Sequence, residues 1–380
     1  MLTLIIFVSI LSLLILIHEL GHFLVAKKQG VRVEEFGLGL PPRVIGKRVG
    51  ETVYTLNLLP FGGFVKLTGE DQAEDDENYK FDPENFNVKT PFQRFTILVA
   101  GVTMNMLLTV AIYYTFFAFT GFQTLNLPLL FDHQFAFGKT QVTKTVITNF
   151  AEQSPLPEQG VTPGDALVEI DGVPVYAVAD IRKELEDNAG KETNLTFVDL
   201  KSQDSPPRFV TTIPYADESG NVVLGVYLGE SVSIAYNKPE QKIFAGFLHA
   251  YNMLSYTMDV MGELVQSSFK SKSIQPVSEG VSGPVGIYAV IGGILDYGGP
   301  DAFLGLLDFI ALMSLSLAFL NILPFPALDG GRIVFVLYEM ITRKKINPNI
   351  EILIHKWGMV VLLSLIVLVT VKDLSRIFFM

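Results

Sequence analysis

The sequence predicts a multi-pass α-helical membrane protein with about four transmembrane helices and a small α/β domain inserted between the second and the third. Apolar residues make up 49% of its 380 positions, more than a soluble chain of that size needs. Long uncharged runs cover most of residues 1–26, Phe95–Phe122, Phe309–Phe325 and Trp357–Val371. Between the middle two runs the pattern changes to short strand-like segments separated by turn residues.

Each run can be justified in turn. The first lacks a basic leader and a small-residue cleavage site, and its apolar stretch exceeds a signal-peptide core, so a retained helix is expected. The last is short for a bilayer, but Lys356 and Lys372 can snorkel from its ends and Trp357 suits an interface. Short basic segments set the orientation. Lys27, Lys28, Arg32, Arg43, Lys47 and Arg48 follow the first run, and Arg343, Lys344, Lys345 and Lys356 precede the last. Both segments are expected in the cytoplasm, with both termini and the middle of the chain outside it.

Four regions follow: residues 1–122 and 301–380 as two parts of a membrane core, 123–232 as an extracytoplasmic domain, and 233–300 as an amphipathic helix with a linker. Between the first two runs, VYTLNLLPFGGFVKLTGE gives two strand-like stretches around a Pro and a Gly pair, a hairpin signal. It suits either a small surface ribbon or an edge that pairs with a substrate strand. In the inserted domain, ALVEIDGVPV carries an Asp-Gly turn and VADIRKELEDN a helical pattern. Residues 240–270 repeat apolar side chains at helical spacing with mixed charges, as a helix at a membrane face does.

A net charge of -11 fits no nucleic-acid binder, and eight carboxylates crowd Glu70–Glu84, expected as a solvated loop. With no cysteine, any metal must be held by histidine and carboxylate.

The chemistry concentrates in His18, Glu19 and His22, which write H-E-x-x-H inside the first apolar run. One helical turn puts both imidazoles on one face, where they can share a divalent ion with Glu19 beside its water. An ionisable side chain inside a span costs roughly 2.5–3.5 kcal/mol on insertion scales, which a plain anchor has no reason to bear. A catalytic zinc site takes three protein ligands, so one is still needed. His133, His249 and His355 fall in outside, interfacial or loop regions, and His249 is expected as a packed side chain. Asp329 is the better candidate. It follows Asn321-Ile-Leu-Pro324-Phe-Pro326 at the end of the third run, where the prolines must break the helix. Broken backbone at that depth survives only against protein or a water-filled cavity.

These motifs together resemble the site-2 protease family of intramembrane zinc metalloproteases. H-E-L-G-H stands in the first run and N-x-x-P-x-P-x-L-D-G-G in a later one. EFGLGLPPRV, LLPFGGFVKLTGED, AGVTMN and SGPVGI extend the likeness along the chain, and SPLPEQGVTPGDALVEIDGVPV resembles a PDZ signature in a single copy. The bacterial RseP-like branch, which processes anti-sigma factors, is the most similar. The resemblance implies one zinc ion on His18, His22 and Asp329, Glu19 as general base and Asn321 beside the scissile peptide. Asn105, Pro324, Pro326 and Gly330 would support these motifs. Val102 stands where the family often has proline, which bears on local helix geometry, and a second PDZ domain is missing.

The implied activity is cleavage of transmembrane segments of single-span proteins, such as anti-sigma factors or signal-peptide remnants, in a bacterial plasma membrane. Partners would be those segments, lipid, and peptide ends or substrate ectodomains at the PDZ-like domain, with no nucleic acid. Two other classes compete. A non-catalytic PDZ scaffold needs metal ligands but no Glu19, and a metal transporter needs more intramembrane acids than Asp308 and Asp329.

Overall fold

A computed structural model describes residues 1–70, 82–131, 133–186, 188–200, 206–216 and 221–379. Most of the acidic run expected as a loop lies outside the described residues. In chain order the elements begin with α1 (Leu2–Lys28), β1 (Val33–Val49), β2 (Thr52–Leu67) and α2 (Pro91–Thr120). Strands β3 (Leu127–Leu129), β4 (Lys139–Phe150), β5 (Asp165–Ile170) and β6 (Val173–Pro174) follow, then α3 (Val178–Leu185). Next come β7 (Thr193–Asp199), β8 (Arg208–Thr212), β9 (Tyr215–Ala216), β10 (Val222–Val223) and β11 (Val226–Ala235). The chain closes with α4 (Pro239–Ile243), α5 (Ala245–Ser271), α6 (Gln275–Gly280), α7 (Pro284–Asp296), α8 (Gly299–Ile322), α9 (Asp329–Thr342) and α10 (Pro348–Phe379). They form two compact units, Met1–Thr115 with Leu264–Met380, and Phe116–Glu263.

In the first unit, α1, α2, α8 and a 26-residue stretch of α10, Ile350–Ser375, are long and apolar enough to cross a membrane. Their apolar residues surround each helix rather than forming a stripe. The last two begin earlier than the uncharged runs, because Asp301, Asp308, Glu351 and Lys356 lie within helix and interrupt only the charge-free pattern. Between α1 and α8, a cluster of Phe7, Ile10, Leu14 and Ile291 brings in α7 as well. Polar contacts tie α2 to α8: Ser314 Oγ donates to the Asn105 carbonyl at 2.8 Å, and Thr109 Oγ1 to that of Ala311 at 3.3 Å. The Asp373 carboxylate of α10 accepts from the amides of Gly283 and Gly286 at 2.8 and 3.0 Å, which gives the SGPVGI motif its role of starting α7. Val102 does not disturb α2, which is continuous through it, and is itself buried.

The hairpin differs from expectation. Its strands are β1 and β2, turning at Gly50-Glu51, and both strand-like runs of the sequence lie on β2. They do not pair with each other: Phe36 of β1 faces both Tyr54 and Val65, and Gly37 faces both Thr55 and Phe64. Residues 35–38 thus run between the two halves of β2. Three glycines and a proline pair hid β1, because they weaken the alternation that marks a strand.

The second unit holds a seven-stranded sheet in the order β3-β11-β4-β5-β7-β8, with β6 beside β5. Ile147, Leu167, Ile170, Leu195 and Phe197 from three strands meet Ile181 and Leu185 of α3 in one core, each fully buried side chain contributing roughly 1.5–3 kcal/mol. Residues 240–270, read as one amphipathic helix, are broken at Phe244 into α4 and α5. On α5, His249 is fully buried and its Nδ1 lies 3.1 Å from the Tyr236 hydroxyl, whose oxygen also accepts from Asn252.

Candidate metal centre

The two histidines lie on consecutive turns of α1, and α2 comes unusually close to them. An added Cβ on Gly21 would meet the Ala100 carbonyl at 2.3 Å, and one on Gly101 would meet His22 Nε2 at 2.4 Å and His18 Nε2 at 2.7 Å. Only glycine lets α2 lie against both rings. Asp329 arrives from the other side. The segment after α8 turns through Leu323–Leu328 and re-enters helix at Asp329, so the carboxylate stands on the first residue of α9. Gly330 permits this fold-back, since a Cβ there would fall 1.9 Å from the Leu323 carbonyl.

Among the described residues, His18, His22 and Asp329 form a cluster whose ligand atoms lie within 4.8 Å of one another. His18 Nε2 is 3.1 Å from His22 Nε2 and 2.9 Å from Asp329 Oδ2, and His22 Nε2 is 3.2 Å from the same oxygen. Ligands about 2.05 Å from a tetrahedral zinc ion stand about 3.3 Å apart, so this triangle has the edge lengths of one face of such a site. The chemistry fits too. The Ile97 carbonyl, 2.9 Å from His22 Nδ1, can only accept, so that nitrogen carries the proton and Nε2 presents a lone pair to the cluster. Two ring nitrogens and a carboxylate converging in a buried place call for a cation.

Glu19, beside His18 in sequence, faces the hairpin, where its Oε2 accepts from the Val65 amide at 3.1 Å. It lines a cavity of about 790 Å³ with His22 and Asp329. Two ion pairs stand in that cavity's wall, Arg94–Glu339 and Arg332–Glu70. Asn321 sits on the last turn of α8, part-exposed, and is not among the described residues lining the cavity. Neither are Asn105, Pro324 and Pro326, although Asn105 is fully buried in α2. The remaining histidines are elsewhere: His133 pairs with Asp259 at 2.8 Å, and His249 is packed in the second unit. His355, expected in a loop, lies instead on α10 and lines the cavity. Sequence reasoning also missed Gly101, Arg94 and Glu339. The AGVTMN match pointed to the first without revealing its contact, and the ion pair joins residues 245 positions apart.

Comparison with known proteins agrees with this chemistry. The family model of peptidase family M50 matches residues 6–365. A protein of Clostridium perfringens that carries the provisional name zinc metalloprotease is 35% identical over 365 residues, covering 96% of each chain. Proteins with the same provisional name occur in Fusobacterium nucleatum, at 30% identity over 99% of each chain, and in Campylobacter jejuni, at 30% over 97% of this chain and 92% of that one. The solved PDZ domain of an SdrC-like protein from Listeria monocytogenes aligns with 22% of this chain and 87% of its own at 16% identity, with a TM-score of 0.19, too low to bear on the fold. With the family match spanning nearly the whole sequence and relatives alike from end to end, the chain belongs to peptidase family M50, the site-2 protease family of zinc metalloproteases.

Proposed function

We propose that this protein is an intramembrane endopeptidase that cuts transmembrane segments of single-span proteins. The observation that carries the proposal is the position of the His18–His22–Asp329 cluster: two of its members lie within a helix apolar enough to cross a membrane, and it adjoins a cavity lined by Glu19. His18, His22 and Asp329 would hold the zinc ion. Zinc held there would supply Lewis acidity for peptide hydrolysis. Glu19 takes the proton from that water and passes it to the leaving amine, its carboxylate oriented meanwhile by the Val65 amide. Asn321 binds substrate backbone or the developing oxyanion once a substrate reaches the end of α8.

The basic residues after α1 and before α10 favour a cytoplasmic position for the catalytic end and an extracytoplasmic one for both termini and for the sheet of the second unit. That sheet, with α3 packed on it, is taken as the PDZ-like domain. It excludes substrates with bulky ectodomains, so that cutting follows removal of the outer part by another protease; anti-sigma factors and signal-peptide remnants are substrates of this shape. The test is cleavage of a single-span substrate in lipid vesicles, with the cut mapped by mass spectrometry. A zinc-dependent cut inside the span is expected. Cuts confined to soluble flanks, or undiminished after zinc is stripped, would overturn the reading.

A further inference from the structure

The segment that delivers Asp329 is built against its own conformational preferences. Ala327, two residues ahead of the carboxylate, has φ of +80°, a left-handed backbone that a Cβ disfavours. Pro324 and Pro326 have no amide hydrogen to anchor the segment. The Ala327 amide does have an anchor: it donates to Nδ1 of His355 on α10 at 3.0 Å. Phe335 of α9 meets the imidazole edge-on, with ring centroids 5.6 Å apart. One turn further along α10, Gly358 brings the helix onto the same segment; a Cβ there would stand 2.4 Å from that of Pro326. A strained residue persists only where its surroundings over-determine it, and His355 is the side chain that does so here.

We infer that His355 is a positioning residue of the metal centre, which holds the Asp329 carboxylate in place by fixing the left-handed turn at Ala327. The inference rests on the reading of His18, His22 and Asp329 as zinc ligands. His355 acts through the backbone, by accepting from the Ala327 amide. Because its Nδ1 accepts, a replacement must offer an acceptor at that point: asparagine places Oδ1 there, glutamine carries its oxygen one bond too far, and phenylalanine keeps the ring without the acceptor.

The test is zinc affinity of the detergent-purified full chain, by competition with a chromogenic chelator, with KM for a single-span substrate measured alongside. His355→Phe is expected to weaken zinc binding by roughly tenfold to a hundredfold, the usual effect of losing a supporting contact, while KM stays the same. His355→Asn is expected to restore the affinity to near that of wild type, and His355→Gln is not. If His355→Phe does not fold, the asparagine and glutamine variants decide between themselves. Wild-type affinity in the phenylalanine or glutamine variant, or equal loss in the asparagine variant, would overturn the inference. So would a raised KM with zinc affinity intact, which would make His355 a substrate contact. Failure of the wild-type protein to bind zinc at all would instead overturn the ligand assignment.

Discussion

Substitution of Gly101 by alanine tests the metal centre through a residue that is neither ligand nor base. A Cβ at this position would stand 2.4 Å from His22 Nε2 and 2.7 Å from both Cε1 and Nε2 of His18. Ordinary contact begins near 3.4 Å, so the rings and the methyl group must separate by about 1 Å. Moving α2 away is resisted, because Ile97 and Leu98 of α2 are buried in one cluster with Ala26 and Val31. The displacement therefore falls on the imidazoles. A misplacement of about 1 Å at a reacting centre costs on the order of a hundredfold in rate, or about 2.7 kcal/mol. The assay is cleavage of a single-span substrate in detergent together with bound zinc per chain. Gly293→Ala serves as control, since nothing lies within 4 Å of its added Cβ. Gly101→Ala should lose about a hundredfold in kcat/KM and part of its zinc, with the control unchanged. Retention of full zinc and of activity within about threefold of wild type would refute the reasoning.

Further expectations concern the framework. Arg94 and Glu339 are 10% and 13% exposed in their side chains; Glu339→Ala leaves a buried guanidinium uncompensated and should lower unfolding stability by about 3 kcal/mol, whereas Arg94→Met with Glu339→Met together should recover most of it, as read by denaturant unfolding in detergent. His249 is held by burial well below its usual range, at about 3. The folded state therefore keeps it neutral while the unfolded chain takes up a proton below about pH 6.5, so its contribution is fully present above that pH and falls by about 1.4 kcal/mol per unit as pH drops toward 3. His249→Gln should flatten that part of the stability profile, and an unchanged slope would count against the assignment.

The part of this architecture legible in the sequence is the part governed by local periodicity. The four-residue step from His18 to His22 makes about one helical turn, and this spacing alone places both rings together. Asp329 was legible for a different reason: Pro324 and Pro326 cannot continue α8, so a carboxylate just beyond them had to lie where broken backbone is tolerated. What could not be read depends on distant pairing. Nothing in the sequence near Glu19 announces the Val65 amide, and nothing near Gly101 announces two imidazoles across a helix interface. β1 was obscured because residues 35–38 gain their order from two flanking segments of β2 rather than from alternation of their own. His355 was set aside because Glu351 and Lys356 shortened the apparent apolar run, although α10 extends well past both.

If zinc on His18, His22 and Asp329 works with Glu19 as base, Glu19→Gln must abolish cleavage without emptying the metal site. Wild-type protein and the variant are purified in detergent, their bound zinc is quantified, and both are given the same single-span substrate. The account predicts about one zinc ion in each, cleavage by wild type, and a loss of a hundredfold to ten-thousandfold in the variant. Cleavage by Glu19→Gln at the wild-type rate with its zinc in place would contradict it.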